Sequence, residues 1–164
     1  MRLRHASLED IPMLRHWDVQ PHVVASGAGG WEWEEMISTP VLWRELLIAE
    51  VEGQPKGLLH IIDPALEDTH YWGDCGPDLR ALDIWIGEAK DTGRGMGTRM
   101  MQAALDRCFA DPGVRAVLID PQVTNTEAHR FYRRLGFDFI REQQFGEDRC
   151  FVFELTRATW RKGD

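Results

Sequence analysis

Three glycines at alternate positions mark the segment of this sequence that is best suited to binding chemistry. They lie in Asp91-Thr92-Gly93-Arg94-Gly95-Met96-Gly97-Thr98, between an apolar run and the start of a long helical pattern. Glycines let consecutive backbone N–H groups converge on an anion, and the N-terminus of the following helix adds partial positive charge. Arg94 adds a full positive charge. The segment therefore predicts a loop that binds phosphate groups.

Two widespread nucleotide-binding loops do not fit this segment. A Walker A loop ends in Gly-Lys-Ser/Thr, and Gly97-Thr98 lacks the lysine. A dinucleotide fingerprint needs Gly-x-Gly-x-x-Gly in the first βα unit, whereas this loop follows at least three predicted strands. Taken alone, the loop leaves open a glycine-rich turn without a ligand.

A second motif follows about 30 residues after the loop and indicates which kind of phosphate-binding loop this is. The residues from Asn125 to Phe137 match the pattern Asn-x-x-Ala-x-x-x-Tyr-x-x-x-Gly-Phe at every fixed position. The loop and this motif together resemble the GCN5-related N-acetyltransferases, the GNAT superfamily. The loop departs at Thr92, where the family often has Gln or Arg, and this changes little because backbone amides bind the ligand.

The resemblance implies an α/β fold with a central mixed, mostly antiparallel sheet of about seven strands and about four flanking helices. It implies one GNAT acetyltransferase domain over residues 1–164, with acetyl-coenzyme A as co-substrate. The resemblance implies that the pyrophosphate of the cofactor is bound by Arg94, Gly95, Gly97 and Thr98. It implies that the pantetheine arm is bound by the backbone of Ile84, Trp85 and Ile86 and by the side chain of Asn125. Tyr132 is implied as the general acid for the departing thiolate. A helix-face aromatic remains the alternative for Tyr132, and a helix cap for Asn125.

A closer resemblance, to the aminoglycoside 6'-N-acetyltransferases, concerns the acceptor. It is carried by Tyr71-Trp72-x-Asp74, Gly76-Pro77-x-Leu-Arg80-x-Leu-Asp83, Asp111-Pro112-x-Val114 and Asp120-Pro121-x-x-x-Asn125. The resemblance implies transfer of an acetyl group to the 6'-amine of an aminoglycoside antibiotic, an antibiotic-resistance activity.

The sequence contains acidic and aromatic residues of the kinds that an aminoglycoside-binding site needs. A polycation rich in hydroxyls needs converging carboxylates and flat aromatic surfaces. Asp83 lies on the strand that leads into the glycine loop and Asp120 ends the next predicted strand, so we expect both carboxylates at one cleft. Trp72 and Asp74 are further candidate substrate-binding residues. A solvated surface charge is the alternative for each of these acidic residues.

The attacking group must be a neutral amine, which limits what a carboxylate can do. An aspartate is too weak a base to deprotonate a free alkylammonium efficiently. We therefore expect Asp83 to orient the amine and to accept its proton late, directly or through water. Direct transfer in a ternary complex is the predicted route. A covalent intermediate on Cys75 is the rival hypothesis.

Composition sets the limits of this interpretation. The 164 residues are 43% hydrophobic and carry a net charge of −8, which disfavours nucleic acid and is compatible with a small cationic amine as partner. No apolar run approaches a membrane span, so we expect a cytoplasmic protein, as a monomer or a homodimer. The six histidines and three cysteines lack metal-ligand spacing, so no metal is predicted. Acetylation of another amine (a protein N-terminus, a polyamine or a siderophore precursor) and a non-catalytic acyl-coenzyme A-binding module remain alternatives.

Periodicity and turn residues predict the elements that position these groups. The predicted strands cover 1–5, 45–51, 57–62, 81–86, 116–119, 137–144 and 150–155. Helices are predicted after Ser7, around 31–39, over 95–110 and from Thr124 to Leu135. Two capping boxes are predicted, Ser7 with Asp10 and Thr124 with Glu127. The order β-α-α-β-β-β-α-β-α-β-β indicates a mixed α/β chain.

Overall fold

The structure is a computed structural model and describes residues 1–161. The strands are β1 (Arg2–His5), β2 (Arg44–Val51), β3 (Gln54–Ile62), β4 (Leu79–Ile86), β5 (Ala116–Ile119), β6 (Asp138–Phe145) and β7 (Asp148–Thr156). The α-helices are α1 (Ile11–Asp18), α2 (Pro21–Ala25), α3 (Trp33–Ser38), α4 (Met96–Ala110), α5 (Thr126–Arg134) and α6 (Arg157–Trp160). Short 3₁₀ helices precede α1, at Leu8–Asp10, and α4, at Ala89–Asp91.

The strands form one seven-stranded sheet in the order β1-β2-β3-β4-β5-β7-β6. The β1–β2, β5–β7 and β6–β7 pairs are antiparallel, and β4–β5 is parallel. The predicted mixed α/β sheet of seven strands is therefore confirmed. The long connection through α4 is what allows β4 and β5 to run in the same direction.

The described residues hold six α-helices, two more than the four expected. Helix α2 begins with Pro21 at its first position, after an extended Gln20, and no helix was predicted between 18 and 31. Helix α6 is a single turn in which the Thr156 side chain accepts a hydrogen bond from the Thr159 N–H. Both helices are too short to leave a periodic apolar signal. Residues 162–164 lie outside the described part of the chain.

One of the two predicted capping boxes is confirmed and the other is wrong. The Asp10 carboxylate accepts a hydrogen bond from the Ser7 backbone N–H, at 2.8 Å. At α5 the cap is Asn125 rather than Thr124, because the Asn125 side chain accepts from the Ala128 N–H at 3.1 Å. The cap therefore lies one residue later than predicted, α5 begins at Thr126, and an asparagine caps the helix.

The chain divides into two compact units. The first contains Met1–Ile61 and Asp83–Ala104, and the second contains Ile62–Leu82 and the described residues from Leu105 onward. In the first unit, side chains of α1, α2 and α3 pack on β2, β3 and β4. The buried members are Ile11, Leu14, Trp17, Val23, Trp33, Leu46, Ile48, Leu58 and Trp85.

In the second unit the core lies under the β5–β7 pair and the connection before β4. Its buried members are Trp72, Leu79, Ala81, Ala116, Leu118, Phe145, Cys150 and Val152. The Arg157 guanidinium closes the C-terminal end of α4 by donating to the carbonyl oxygens of Phe109 and Val114, at 2.9 and 2.8 Å. Among residues 1–161, no helix has both the length and the apolar character that crossing a membrane requires.

Candidate active site

The glycine loop leads from the 3₁₀ helix at Ala89–Asp91 into α4. Gly93 and Gly95 have φ of +69° and +76°, and a Cβ on either would meet nothing within 4 Å. Backbone conformation, not crowding, therefore requires glycine at these two positions. Gly97 lies inside the first turn of α4 together with Thr98, and Arg94 is exposed. The loop thus presents free helix N–H groups beside an exposed guanidinium, the arrangement that favours an anion.

An ion pair fixes the beginning of this loop. The Lys56 ammonium lies 3.1 Å from the Asp91 carboxylate, and both side chains are largely buried. Thr92 adds a hydrogen bond from its hydroxyl to the Ala89 carbonyl, at 2.7 Å. The Gly87 N–H donates to the Lys56 carbonyl at 2.9 Å, which joins the end of β4 to β3. These contacts hold the loop in place before any ligand binds.

Strand β4 extends beyond the part that pairs with β5. The parallel register covers Leu79 to Ala81, and β4 then continues to Ile86. Backbone groups of Ile84 and Trp85, which the resemblance implies for the pantetheine arm, belong to this second part of the strand. The Ile86 carbonyl already accepts a hydrogen bond from His22 Nε2, at 2.7 Å, so one of its lone pairs is used.

Asp83 is held by a histidine that the sequence analysis did not single out. His60 Nδ1 lies 3.0 Å from Asp83 Oδ2, and the side chains are 7% and 38% exposed. An ionised carboxylate only accepts hydrogen bonds, so Nδ1 carries the proton and donates. One oxygen of Asp83 is thereby oriented by a buried ring while the carboxylate itself reaches solvent.

Tryptophan rings surround the other side of His60. Trp31 meets the His60 ring edge-on with centroids 5.1 Å apart, and meets Trp85 in the same way at 5.2 Å. Trp33 packs against both tryptophans and donates from its indole N–H to Asp18, at 2.6 Å. The described residues offer no hydrogen-bond partner to two buried atoms of this group, His60 Nε2 and Trp85 Nε1.

A second carboxylate with aromatic neighbours lies in the second unit. The Tyr71 hydroxyl donates to Asp120 at 2.7 Å, and the Tyr71 ring stacks on Phe145 with centroids 4.3 Å apart and planes 4° apart. Trp72 packs edge-on against the same phenylalanine and is 6% exposed. Tyr71, at 43% exposure, is therefore the more accessible ring of the pair. Asp74 is exposed.

The two signature residues of α5 sit at its beginning and on its buried face. The Asn125 side chain caps α5, which is the alternative role that the sequence analysis considered for this residue. Tyr132 is 7% exposed and its ring contacts Phe137 and Phe153. Gly136 ends the helix with φ of +91°, as the motif predicts.

Comparison with known proteins decides the family. The model of the acetyltransferase (GNAT) domain matches residues 7–145. This chain belongs to the GNAT acetyltransferase family. It is accordingly an N-acetyltransferase, and its glycine loop and α5 motif lie within the matched region.

Individual relatives agree with the family. Aminoglycoside N(6')-acetyltransferase type 1 of Klebsiella pneumoniae is 27% identical over 146 residues, which cover 83% of this chain and 73% of the relative. Lysine N-acyltransferase MbtK of Mycolicibacterium paratuberculosis is 29% identical over 171 residues, covering 96% of this chain and 74% of the relative. The crystal structure of aminoglycoside acetyltransferase AAC(6')-Ib with coenzyme A and kanamycin shares the fold, with a TM-score of 0.87 at 23% identity over 98% of this chain and 96% of that one.

The cysteines of this GNAT chain bear on the covalent alternative. Burial raises the pKa of the Cys75 thiol, the positive charge of Arg141 works against that rise and Asp74 adds to it; the thiol donates to the Trp72 carbonyl at 3.4 Å. Burial, reinforced by the charges of Asp120 and Asp148, raises the pKa of Cys150 to about 12. A nucleophilic cysteine needs the opposite shift. Among the described residues, no group of three or more potential ligands could hold a metal ion.

Proposed function

We propose that this GNAT enzyme transfers the acetyl group of acetyl-coenzyme A to a primary amine of a cationic substrate, the 6'-amine of an aminoglycoside antibiotic. The observation that carries the proposal is the partly exposed Asp83 carboxylate, oriented by buried His60 on the strand that leads into the glycine loop. A cationic amine is the natural partner of such a carboxylate.

The residues of the loop fit the phosphate end of the acetyl donor. Arg94 supplies positive charge, and the backbone N–H groups of Gly95, Gly97 and Thr98 supply donors at the start of α4. The backbone from Ile84 to Ile86 pairs with the pantetheine arm, and Asn125 adds a side-chain contact to it. The donor contributes an activated thioester carbonyl.

The proton transfers are assigned to Asp83 and Tyr132. The neutral amine attacks the thioester carbonyl carbon and forms the C–N bond. Asp83 takes the proton that the nitrogen loses as it becomes more acidic, directly or through water. The C–S bond then breaks, and Tyr132 protonates the departing thiolate. No residue of the enzyme is acylated, in keeping with the raised pKa of Cys75.

His60 acts in this scheme as a positioning residue. Its N–H donates to one Asp83 oxygen, so the other oxygen is left for the substrate ammonium. A carboxylate fixed in this way loses less rotational freedom when the amine binds.

Recognition of the rest of the substrate is assigned to aromatic and acidic side chains of the second unit. Asp120, held by Tyr71, and exposed Asp74 supply negative charge. The Trp72 ring packs edge-on against the rings of Tyr71 and Phe145. The similarity to an aminoglycoside N(6')-acetyltransferase and the net charge of −8 support an aminoglycoside or another polycationic amine as the acceptor.

The same proposal covers the organisation of the molecule. Residues 1–164 work as one acetyltransferase domain in the cytoplasm, on a small-molecule amine and without nucleic acid, as a monomer or a homodimer. A net negative charge supports the absence of nucleic acid from this list of partners.

The test is release of free coenzyme A thiol with a panel of kanamycin, tobramycin, spermidine, lysine and short peptides. We expect turnover with kanamycin and tobramycin. In Asp83→Asn we expect a loss of kcat of about 10² to 10⁴, the range for removing a general base. Asp106→Asn, an exposed aspartate on α4, is the matched control. Full activity in Asp83→Asn would remove Asp83 from the chemistry.

A second candidate acceptor is the amine of lysine. The similarity to a lysine N-acyltransferase spans 96% of this chain and favours it. Turnover in the panel with lysine or peptides, and none with the aminoglycosides, would establish this candidate and keep the roles of Asp83 and Tyr132.

A further inference from the structure

Helix α5 buries a histidine beside its motif tyrosine. His129 and Tyr132 are three residues apart, so their side chains lie on one side of the helix, and both rings contact Phe153. His129 is 8% exposed, and its ring stacks on Phe151 with centroids 4.9 Å apart and planes 29° apart. An aliphatic side chain would also pack on these two phenylalanines. Packing alone therefore does not account for a histidine at this position.

The His129 ring also makes a hydrogen bond to backbone outside the helix. Its Nε2 lies 2.9 Å from the Gln122 carbonyl oxygen. A carbonyl oxygen only accepts, so Nε2 carries a proton and donates. The same carbonyl accepts from the Asn125 backbone N–H, at 2.9 Å. A buried side chain of α5 is thereby tied to residues 120–125, which connect β5 to the helix and which we call the 120–125 segment.

Both ends of the 120–125 segment carry groups that the proposed function assigns to a substrate. At its start, the Asp120 carboxylate accepts from the Tyr71 hydroxyl at 2.7 Å. At its end, the Asn125 side-chain oxygen caps α5, which leaves the amide N–H groups of this side chain for the pantetheine arm. The carbonyl that His129 holds lies between these two ends. A shift of the segment would therefore move a contact of the acceptor and a contact of the cofactor together.

Strand β7 and α5 hold the segment from two different sides. The Phe151 N–H donates to the Pro121 carbonyl and the Val123 N–H donates to the Arg149 carbonyl, both at 2.9 Å. These backbone bonds fix the segment to β7. The bond from His129 fixes it to the helix instead, so this bond sets the position of Asp120 relative to the side chains of α5.

We propose that His129 is a positioning residue that acts on both substrates through the 120–125 segment. The proposal rests on the proposed function, because that function assigns Asp120 to the acceptor and Asn125 to the cofactor. Without the bond from Nε2 to the Gln122 carbonyl, the segment can shift against α5. The amine and the thioester carbonyl then adopt the reactive geometry less often, and small displacements of this kind lower the rate.

Two substitutions separate the hydrogen bond from the packing. His129→Ile keeps an apolar side chain and removes the donor, whereas His129→Gln keeps a donor N–H and removes the ring. For the best acceptor of the panel, we expect kcat/KM to fall about 10-fold in His129→Ile, the effect of one lost hydrogen bond, and to stay within about 3-fold of wild type in His129→Gln. The midpoint of urea unfolding should rank the two variants in the opposite order. Activity that follows the order of stability overturns the proposal.

Phe151→Leu is the control for packing. It removes the ring that stacks on His129 and leaves the donor in place. We expect a lower midpoint of urea unfolding, with kcat/KM within about 3-fold of wild type, because the hydrogen bond to Gln122 remains. A loss of activity in Phe151→Leu as large as in His129→Ile would mean that the ring contact, and not the hydrogen bond, determines the rate.

Affinity for coenzyme A separates this proposal from the proposed function. By isothermal titration calorimetry, we expect the Kd of coenzyme A to rise about 5-fold in His129→Ile and to change little in His129→Gln, because Asn125 moves only in the first variant. If no amine of the panel is acetylated but the Kd values follow this order, the proposed function fails and the role of His129 stands. If amines are acetylated and both variants keep the wild-type Kd and kcat/KM, the proposed function stands and the role of His129 is wrong.

Discussion

The carboxylate of Asp83 reaches solvent, whereas the His60 ring that orients it is buried. The exposed fraction is 38% for the Asp83 side chain and 7% for His60. A free carboxylate at the surface rotates among several orientations, and the hydrogen bond at 3.0 Å selects one. Under the proposed function, Asp83 contacts the substrate and His60 fixes the orientation of the Asp83 carboxylate. The two residues are therefore expected to respond differently to substitution.

Replacement of His60 tests this division. We expect His60→Leu to lower kcat about 10-fold, because the Asp83 carboxylate loses its fixed orientation, and to leave the KM for acetyl-coenzyme A unchanged. His60→Gln keeps a donor to Asp83 and should retain more activity. The pH dependence of kcat is the second readout, since an unsupported carboxylate gives a different profile. Equal losses in both variants, with an unchanged pH profile, would mean that His60 only fills space.

The thiols provide a test at the same scale. Burial raises the pKa of Cys150 to about 12, and Cys150 and Cys108 are buried whereas Cys75 is half-buried. We therefore expect a thiol-specific reagent at pH 8 to modify Cys75 slowly and the other two only after unfolding. Cys75→Ala should keep the full rate of acetyl transfer and abolish the labelling of the folded protein. Loss of activity in this variant would revive the covalent intermediate.

Single residues were predictable from the sequence where a motif surrounds them. Asp83, the loop glycines and Tyr132 each stand in a recognisable pattern, and their assigned roles remain predictions. His60 was not predictable, since it stands within the apolar run Gly57 to Ile62 and has no neighbouring polar residue. Its partner is 23 residues away in sequence, and only strand pairing brings the two together. Tyr71 was passed over in favour of Trp72, because sequence does not show which of two adjacent rings is buried.

At the scale of the elements, close backbone approach sets the limits on substitution. A Cβ on Gly57 would lie 2.4 Å from the Trp85 carbonyl oxygen and 2.6 Å from the end of the Met100 side chain. The backbone of Gly57 has no positive φ, so space alone requires the glycine here. This contact lets β3 lie against β4 and under α4.

Gly57→Ala should accordingly destabilise the protein. We expect a loss of about 1–3 kcal/mol, the usual range for overpacking a core, measured as a lower midpoint of urea unfolding. Gly113→Ala is the matched control, because a Cβ there meets only the flexible Asp111 carboxylate, at 3.2 Å. A Gly57→Ala protein as stable as the control would show that β3 can shift at little cost.

Elements with a long periodic or alternating pattern were predicted within a few residues. Strand β5 matches the predicted 116–119, and α4 begins one residue after the predicted 95. The errors fall on short elements. Five-residue α2 and four-residue α6 cannot show a helical period, and the cap at Asn125 was displaced because Thr124, Asn125 and Thr126 are all acceptable caps.

At the scale of the whole molecule, one carboxylate links stability to pH. Burial alone would raise the pKa of Asp10, but hydrogen bonds from Arg4 and Ser7 outweigh it and hold the pKa below its usual value. The Arg4 guanidinium contacts both carboxylate oxygens at 2.7 Å and also reaches Glu50. A folded pKa below the unfolded one means that this stabilisation is complete above the unfolded value, about 3.9, and is lost as the pH falls through the folded value.

Asp10→Asn should therefore cost about 1–3 kcal/mol at pH 7, since Arg4 then keeps only one of its two carboxylate partners, Glu50, and should cost less at pH 3. The free energy of unfolding in urea at pH 7, 5, 4 and 3 measures both values. Glu9→Gln, at the exposed neighbouring position, should change little at any pH. A cost that does not depend on pH would mean that the Asp10 carboxylate is not ionised in the folded protein.

The fold of the whole molecule followed from two motifs that span fewer than fifty residues. The glycine loop and the α5 motif require a strand, a turn and two helices in a fixed order. The two motifs therefore identify the family, and the family predicts the fold. The acceptor does not follow in the same way. Its specificity depends on side chains from segments without a fixed pattern, such as Gly27 to Trp31 and Asp63 to Asp78, whose conformations no local rule determines.

Trp17 occupies the space where a side chain of residue 87 would be. A Cβ on Gly87 would lie 2.0 Å from the Trp17 ring, so the two positions share one volume. Evolution can then change them only in order: a smaller residue must first replace Trp17, and only afterwards does position 87 become free to vary. Across homologues the pair should therefore covary, with bulk at one position excluding bulk at the other. The space beside the end of β4, next to the glycine loop, is thus filled by a side chain of α1, a helix near the start of the sequence.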